Sequence, residues 1–375
     1  VSDTVHPVLP AATPLLHDAH GAMQVGGVDA AGLLLAPGGA EMAALLRGLD
    51  GRRTQRAVLG DAAERGMDAD AVARVLDGLR SLGLLVDLDA VDLLASDAGP
   101  AADARAASEL PAALTRPGAW RARRQAVVVV EGATRVGTPL AAMLSASGVG
   151  RVSVRDHGVT AAGDAVVGGL SADDEGRPRS LAAADAVRRA NPLADLRPVA
   201  PDATADLVVL ARPWAASDPL AAGVHRSGVP HLVATVRGQT GVVGPLVVPG
   251  VTSCLRCADL WRRDADPRWP ALAAQLTASE APPTGSTVTC LLTAATAAYQ
   301  VLAYLDGSAA PSSLSATLEL SPPHPIPRIR PWPAHPGCGC GAAAGDRAGT
   351  PAPPAGDAGP VGVGTEGLGQ GTMGG

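Results

Sequence analysis

Four of the five cysteines in this 375-residue chain fall in two close pairs, Cys254-Leu-Arg-Cys257 and Cys338-Gly-Cys340. Two thiolate clips far apart in sequence, each flanked by turn formers, read as one tetrahedral four-cysteine zinc site. Thiolates suit a soft ion, and four of them close its coordination sphere, so such a zinc is structural. The first clip has ordinary spacing. The second, Cys-x-Cys, is tighter, and His335, three residues before Cys338, is an alternative ligand. Unrelated free thiols, or a disulfide in an oxidising compartment, are the competing readings. The fifth cysteine, Cys290, sits among Leu291, Leu292 and Ala294 and reads as a small buried hydrophobe. A nucleophile that accepts an acyl group as a thioester is the alternative, and its neighbours supply no activating base or charge.

A glycine turn is the second constellation. Residues 126–130 are an unbroken apolar, mostly β-branched run, the mark of a strand buried on both faces of a parallel sheet. Glu131-Gly132-Ala133-Thr134-Arg135-Val136-Gly137 follows and opens a helix expected over 138–147. A further strand, 151–155, delivers Asp156 at its C-terminal end. Strand, glycine turn, helix and a following acid make a nucleotide-binding fingerprint, with Asp156 placed for a ribose hydroxyl. Gly132 and Gly137 occupy the first and third glycine positions, but Thr134 takes the middle one, where a phosphate would approach the helix N-terminus. Glu131 adds negative charge nearby. A working nucleotide site and a Rossmann-like fold that has lost tight binding both stay open. His157, beside Asp156, is the one histidine at such a strand end; no two histidines have helical ligand spacing.

Around these residues the chain divides into four stretches. Residues 1–88 read as a winged-helix-like module: short strands over 14–17, 22–26 and 32–36, helices over 39–49, 54–65 and 68–82, and a closing strand over 84–86. Val72, Val75, Leu76, Leu79 and Leu82 make an i, i+3, i+4, i+7 stripe, with Asp68 or Asp70 as the cap. The unit has no titratable cluster and reads as a binding module whose early strands end at a sheet edge. Residues 89–122 form a linker with one helix over 101–110. Residues 123–340 alternate strand and helix, with further strands at 206–210, 231–236 and 313–320 and helices near 180–190 and over 287–305. The fold class is therefore α/β, a doubly wound Rossmann-like sheet with the four-cysteine site, preceded by the small α+β module. Residues 341–375 are a glycine- and proline-rich tail with little to bury and are expected to be disordered. Trp261, Trp269 and Trp332 read as packing near the clips, and Arg262, Arg263, Asp264 and Asp266 as a solvated surface.

From about residue 126 to 340 the chain resembles the ThiF/MoeB/HesA adenylyltransferases, the ubiquitin-activating-enzyme-like family. The resemblance is carried by the valine run before the glycine turn, Ala146-Ser-Gly-Val-Gly-Arg-Val-Ser-Val154, Asp156, Gly176-Arg-Pro-Arg-Ser180, Ala190-Asn-Pro192, Gly244-Pro245 and Cys254-x-x-Cys257. It implies an ATP and magnesium site built on Gly132, Gly137, Asp156 and Arg179, and a homodimer through the α/β domain. The sequence departs from the family pattern at several points. Gly158 replaces a second acid, the Asn/Arg/Gln string is missing, Arg179 stands for a lysine, and Ala211-Arg212-Pro213 replaces a metal-binding acid. Adenylation needs cations on the phosphates and a carboxylate-held magnesium. Residues 1–88 are similar to PqqD-like leader-peptide recognition elements, through Gln24-Val25-Gly26, Leu49-Asp50-Gly51 and Gly83-Leu84-Leu85. The combination resembles the scaffold subunit of azoline-forming cyclodehydratases, which implies a precursor-peptide partner and a separate YcaO-type enzyme.

Composition narrows the alternatives. A net charge of −6, with no basic stretch interleaved with aromatics, argues against a nucleic-acid partner. No apolar run reaches the length of a membrane span and no signal pattern opens the chain, so a cytoplasmic protein with reduced thiols is expected. Lysine is absent, which excludes Schiff-base chemistry. Two functions remain: a peptide-binding scaffold, and an ATP-dependent adenylyltransferase acting on the C-terminus of a peptide or ubiquitin-like carrier protein.

Overall fold

A computed structural model of the chain describes residues 4–27, 32–36, 39–88, 109, 118–199, 204–212, 218–278, 285–307, 309–324 and 326–342. In the N-terminal part, β1 (His6–Val8), β2 (Leu15–His17), β3 (Met23–Gly26) and β4 (Gly32–Leu35) precede three helices, α1 (Ala40–Arg47), α2 (Gln55–Glu64) and α3 (Ala69–Ser81). Strands β2, β3 and β4 form an antiparallel sheet in that order, with Leu16, Gln24 and Leu34 in register. Side chains alternate across a sheet, so Met23 and Val25 are fully buried while Leu34 is 67% exposed. The helices close that inner face with Leu46, Val58, Val72, Leu76 and Leu79. Thr54 caps α2 by accepting from the Ala57 amide, and Asp68, not Asp70, caps α3.

One expectation for this part is corrected. The closing strand is β5 (Val86–Leu88), which pairs antiparallel with β1. Leu84 and Leu85 instead form the turn after α3, their amides bonding the Leu79 carbonyl. Gly51 (φ 80°) lies beneath this ribbon, where an added Cβ would stand 2.7 Å from the side chains of Val8 and Leu88. Strand β3 is also central in its sheet, so the edges are β2 and β4.

The remainder is a mixed α/β fold. Helix α4 (Ala119–Gln125) leads into β6 (Val127–Glu131), α5 (Gly137–Ala146) and β7 (Arg151–Arg155). Then follow α6 (Arg179–Ala190), β8 (Leu207–Leu210), α7 (Pro219–Arg226), β9 (His231–Arg237) and β10 (Thr240–Val247). Helices α8 (Leu255–Ala265), α9 (Trp269–Ala278) and α10 (Thr287–Asp306) precede β11 (Ala316–Leu320) and β12 (Arg328–Pro331). One seven-stranded sheet runs β12-β11-β10-β9-β8-β6-β7, parallel from β7 to β9 and antiparallel from β9 to β12. Both faces are covered. Val128 and Val130 join Leu140, Leu144, Val187, Ala294 and Val301 on one face, whereas Val129 joins Ala221, Leu255 and Cys257 on the other. That division is why β6 had to be apolar from Val127 to Val130.

Helix α10 bears on the membrane expectation. At 20 residues it is long and apolar enough to cross a bilayer by length and composition. Its buried face, however, lies in the core of the sheet with Cys290, Thr293, Ala294, Ala297 and Val301 fully buried. At its end Asp306 pairs with Arg123 of α4, the Nε donating to Oδ1 at 2.9 Å, with both residues almost completely buried. The helix expected over 101–110, the rest of that linker and the tail lie outside the described residues, apart from Glu109, residues 118–122 and residues 341–342.

Candidate functional site

Helix α8 builds the cysteine site. Cys254 is its N-cap residue and Cys257 lies in its first turn, where the helix dipole favours negative charge. Beyond β12 the chain runs to a turn in which the Cys338 amide bonds the His335 carbonyl at 2.9 Å, bringing the second clip over the first. The Sγ separations are 3.9 Å for Cys254–Cys257, 3.6 Å for Cys254–Cys338 and 3.6 Å for Cys257–Cys340, and all four sulfurs lie within 4.8 Å of one another. A tetrahedron with metal–sulfur bonds of ~2.3 Å has edges of ~3.8 Å, so the cluster has the size of a metal cage. All four are free thiols, which removes the disulfide reading. Mutual hydrogen bonding splits this pair: it brings Cys257 below the ordinary thiol value and holds Cys254 far above it.

His335 is not a fourth ligand. Its Nδ1 accepts from the Gly337 amide at 2.9 Å and its Nε2 donates to Asp264 Oδ2 at 2.8 Å, so both ring nitrogens are engaged. The surface assignment of Arg262 is also corrected. Its guanidinium lies 4.3 Å from the Trp332 ring centroid and 5.0 Å from that of Trp269. Burial, reinforced by Arg237, brings its pKa down to about 10. Cys290 is fully buried, and burial pushes its thiol up, as expected of a packing residue.

The glycine turn lies at the C-terminal ends of β6 and β7. Gly132 and Gly137 are both required: a Cβ on Gly137 would stand 2.1 Å from the Gly132 carbonyl oxygen, and Gly132 has φ 117°. Asp156 faces the turn. Its Oδ2 accepts from the Ala133 amide and its Oδ1 from the Gly158 amide, each at 2.8 Å. Arg179 approaches the same place, since a Cβ on Gly158 would be 3.2 Å from both Arg179 Nη1 and Asp156 Oδ1. The fold thus brings Asp156 against the glycine turn that holds Gly132 and Gly137, with Arg179 beside Gly158.

The groups that would meet a phosphate already have partners within the protein. Thr134 Oγ1 donates to the Ala211 carbonyl at 2.8 Å and accepts from the Gly137 amide at 3.0 Å, capping α5 from inside the turn. Arg179 bonds Asp164 Oδ2 through Nη2 at 2.8 Å, and Asp164 is 1% exposed. Asp164 was not foreseen; it lies fifteen residues from Arg179 across irregular turns, which give no periodic signal. Beside Asp156 opens a groove of about 550 Å³ lined by Glu131, Arg155, His157, Leu181, Leu196 and Val199. Burial raises the Glu131 carboxyl against the pull of Arg155, whose Nη1 is 3.4 Å away. His157 lies on this groove's wall.

Comparison with known proteins adds the following. Residues 111–340 match the ThiF family. The fold resembles the crystal structure of E. coli MccB with MccA-N7isoASN, with TM-score 0.57, 16% identity, and coverage of 90% of this chain and 99% of that one. The E. coli MccB structure with ATP matches with the same figures. A selenomethionine structure of PaaA matches with TM-score 0.54 and 16% identity, covering 70% of this chain and 92% of the other. No curated protein matches the sequence. At such identities these likenesses establish a shared fold.

Proposed function

The chain belongs to the ThiF family, and on that premise we propose that it is a precursor-peptide-binding scaffold for a separate peptide-modifying enzyme of the YcaO type. The observation that carries this reading is the internally satisfied glycine turn. Thr134 uses the Gly137 amide, Asp156 uses two further amides, and Arg179 is held by Asp164. Binding a triphosphate there would cost those bonds before any new one formed. Gly132, Gly137, Asp156 and Arg179 then serve as the framework of a family crevice that this chain does not use for adenylation.

Peptide recognition falls to residues 1–88, through a strand added to an open sheet edge. Strand β4 suits this best. It pairs only with β3 among the described strands, and its Leu33 side chain lies against α3 at Gly78. The outer edge of the large sheet is less receptive, because β12 ends in Pro331, which lacks a donor. The cysteine cage is the site of one structural zinc in a cytoplasmic protein, where thiols stay reduced. Bound zinc would neutralise the crowded thiolates of Cys254, Cys257, Cys338 and Cys340 and tie the end of the α/β domain, residues 123–340, to α8. The exposed outer side of α10, with Val288 and Tyr299 each about three-quarters exposed and no charge between them, suits a homodimer.

Hydrogen exchange on the full chain tests the peptide site. Adding a precursor leader peptide without nucleotide should slow the amides of Gly32–Leu35 and leave the 132–137 turn unchanged. Protection confined to the α/β domain would contradict the assignment. The rival reading, an ATP-dependent adenylyltransferase for a peptide or ubiquitin-like carrier C-terminus, draws support from the 550 Å³ groove beside Asp156. It requires nucleotide-dependent thermal stabilisation and ATP–pyrophosphate exchange, both of which the scaffold reading excludes.

A further inference from the structure

The segment that carries the second cysteine clip is fastened to α8 by side chains that are not ligands. Cys254, Cys257, Trp261 and Asp264 follow one another at helical spacing and so share one side of α8. Each touches the incoming segment. Trp261 Nε1 donates to the Pro333 carbonyl at 2.9 Å, and its ring meets that of His335 edge to face at 4.7 Å. Arg262 stacks on Trp332, and Ser253 Oγ donates to the Trp332 carbonyl at 2.5 Å.

His335 is the most engaged of these groups. It is 6% exposed. Because the Gly337 amide points at Nδ1, the ring proton sits on Nε2 and is donated to Asp264. Its carbonyl accepts from the Cys338 amide, and its own amide is directed at the Cys257 sulfur. One residue therefore fixes the turn leading into the second clip, touches the first clip, and ties the turn to the helix that bears the first clip.

We infer that His335 is a positioning residue for the metal site, holding Cys338 and Cys340 over Cys254 and Cys257 so that the four sulfurs are gathered before a metal arrives. The ordering of the second clip is then supplied mainly by the protein, and the metal meets a nearly formed cage. This rests on the reading of the cysteines as a metal site and goes beyond it by assigning the outer residues.

The test is cobalt(II) binding to the metal-stripped full chain, followed by the thiolate-to-cobalt charge-transfer band and by competition with a chelator. Wild-type protein should bind one cobalt with a four-thiolate spectrum; failure of that step would remove the metal reading itself. With it in hand, His335→Ala should weaken cobalt binding about 10–100-fold and lower the charge-transfer intensity per metal. Asp264→Ala, at a partly exposed site away from the clip, should give a loss of similar direction without threatening the fold. The double variant should lose less than the sum, because both changes break one tie. His335→Asn keeps a side-chain acceptor for the Gly337 amide and should recover part of the affinity. Wild-type affinity and spectrum in both His335→Ala and Asp264→Ala, or fully additive losses, would overturn the inference.

Discussion

At the scale of single residues, the decisive difference is a hydroxyl where a phosphate-binding turn needs open space. Thr134 donates to the Ala211 carbonyl and accepts from the first amide of α5, and on the proposed reading it stands where an anion would cap that helix. Thr134→Gly should therefore free an amide at the cost of roughly a few tenths of a kcal/mol of stability from the lost cap. The freed amide can form a charge-assisted hydrogen bond of about 1.5 kcal/mol, so affinity for Mg-ATP should rise about tenfold. Calorimetry on the two proteins checks this, and an unchanged affinity would mean that Thr134 is not the block. The cysteine set and Thr134 were both legible in the sequence, because each depends on residue type at a fixed short spacing. Asp164 and the inward role of Asp156 were not. Their partners are brought near by irregular turns, and nothing in the local pattern distinguishes a carboxylate facing a ligand from one facing its own backbone.

At the scale of elements, periodicity carried the reading where one side of an element is buried. The three N-terminal helices, β6, α5, β7, α6, β8, β9 and α10 stand within a few residues of where the apolar spacing put them. The elements that escaped have identifiable reasons. Strand β10 holds Gly241, Gly244 and Pro245 and is bulged between Val243 and Leu246. Strand β12 alternates two arginines with Ile329 and reads as surface until Arg262 and Arg330 are both seen against the Trp332 ring. Helix α4 is short and basic, and its purpose appears only in its partner across the fold. Arg123 gives Asp306 its buried counter-charge, so Arg123→Met should cost about 3–5 kcal/mol by stranding that carboxylate. The paired change, Arg123→Met with Asp306→Leu, should recover much of the loss. Urea midpoints for wild type and the single and double variants decide it, and equal losses in the single and double variants would show that the charge pairing does not matter.

At the scale of the whole molecule, acid stability reports on the core between the sheet and α7. His231 opens β9, is fully buried, and donates from Nδ1 to the Val229 carbonyl, and burial brings its pKa down to about 4. The unfolded chain binds this proton near pH 6.5, so the unfolded state holds more protons between pH 6.5 and 4. Stability should therefore fall as pH drops through that window, by about 3 kcal/mol for this residue alone. His231→Asn keeps a donor near Nδ1 and should flatten that portion of the melting-temperature profile; an unchanged slope would place the acid sensitivity elsewhere. The change in character near residue 125, where β6 and the large sheet begin, was legible in the sequence, whereas the order of the N-terminal strands required the structure. The account's central claim is that this chain binds a precursor peptide without using nucleotide. Calorimetric titration of the full chain with a precursor leader peptide, with and without millimolar Mg-ATP, tests it most directly. The account predicts the same peptide affinity in both conditions and no heat from ATP alone. Peptide binding that appears only with Mg-ATP, or micromolar ATP binding by the chain itself, would contradict it.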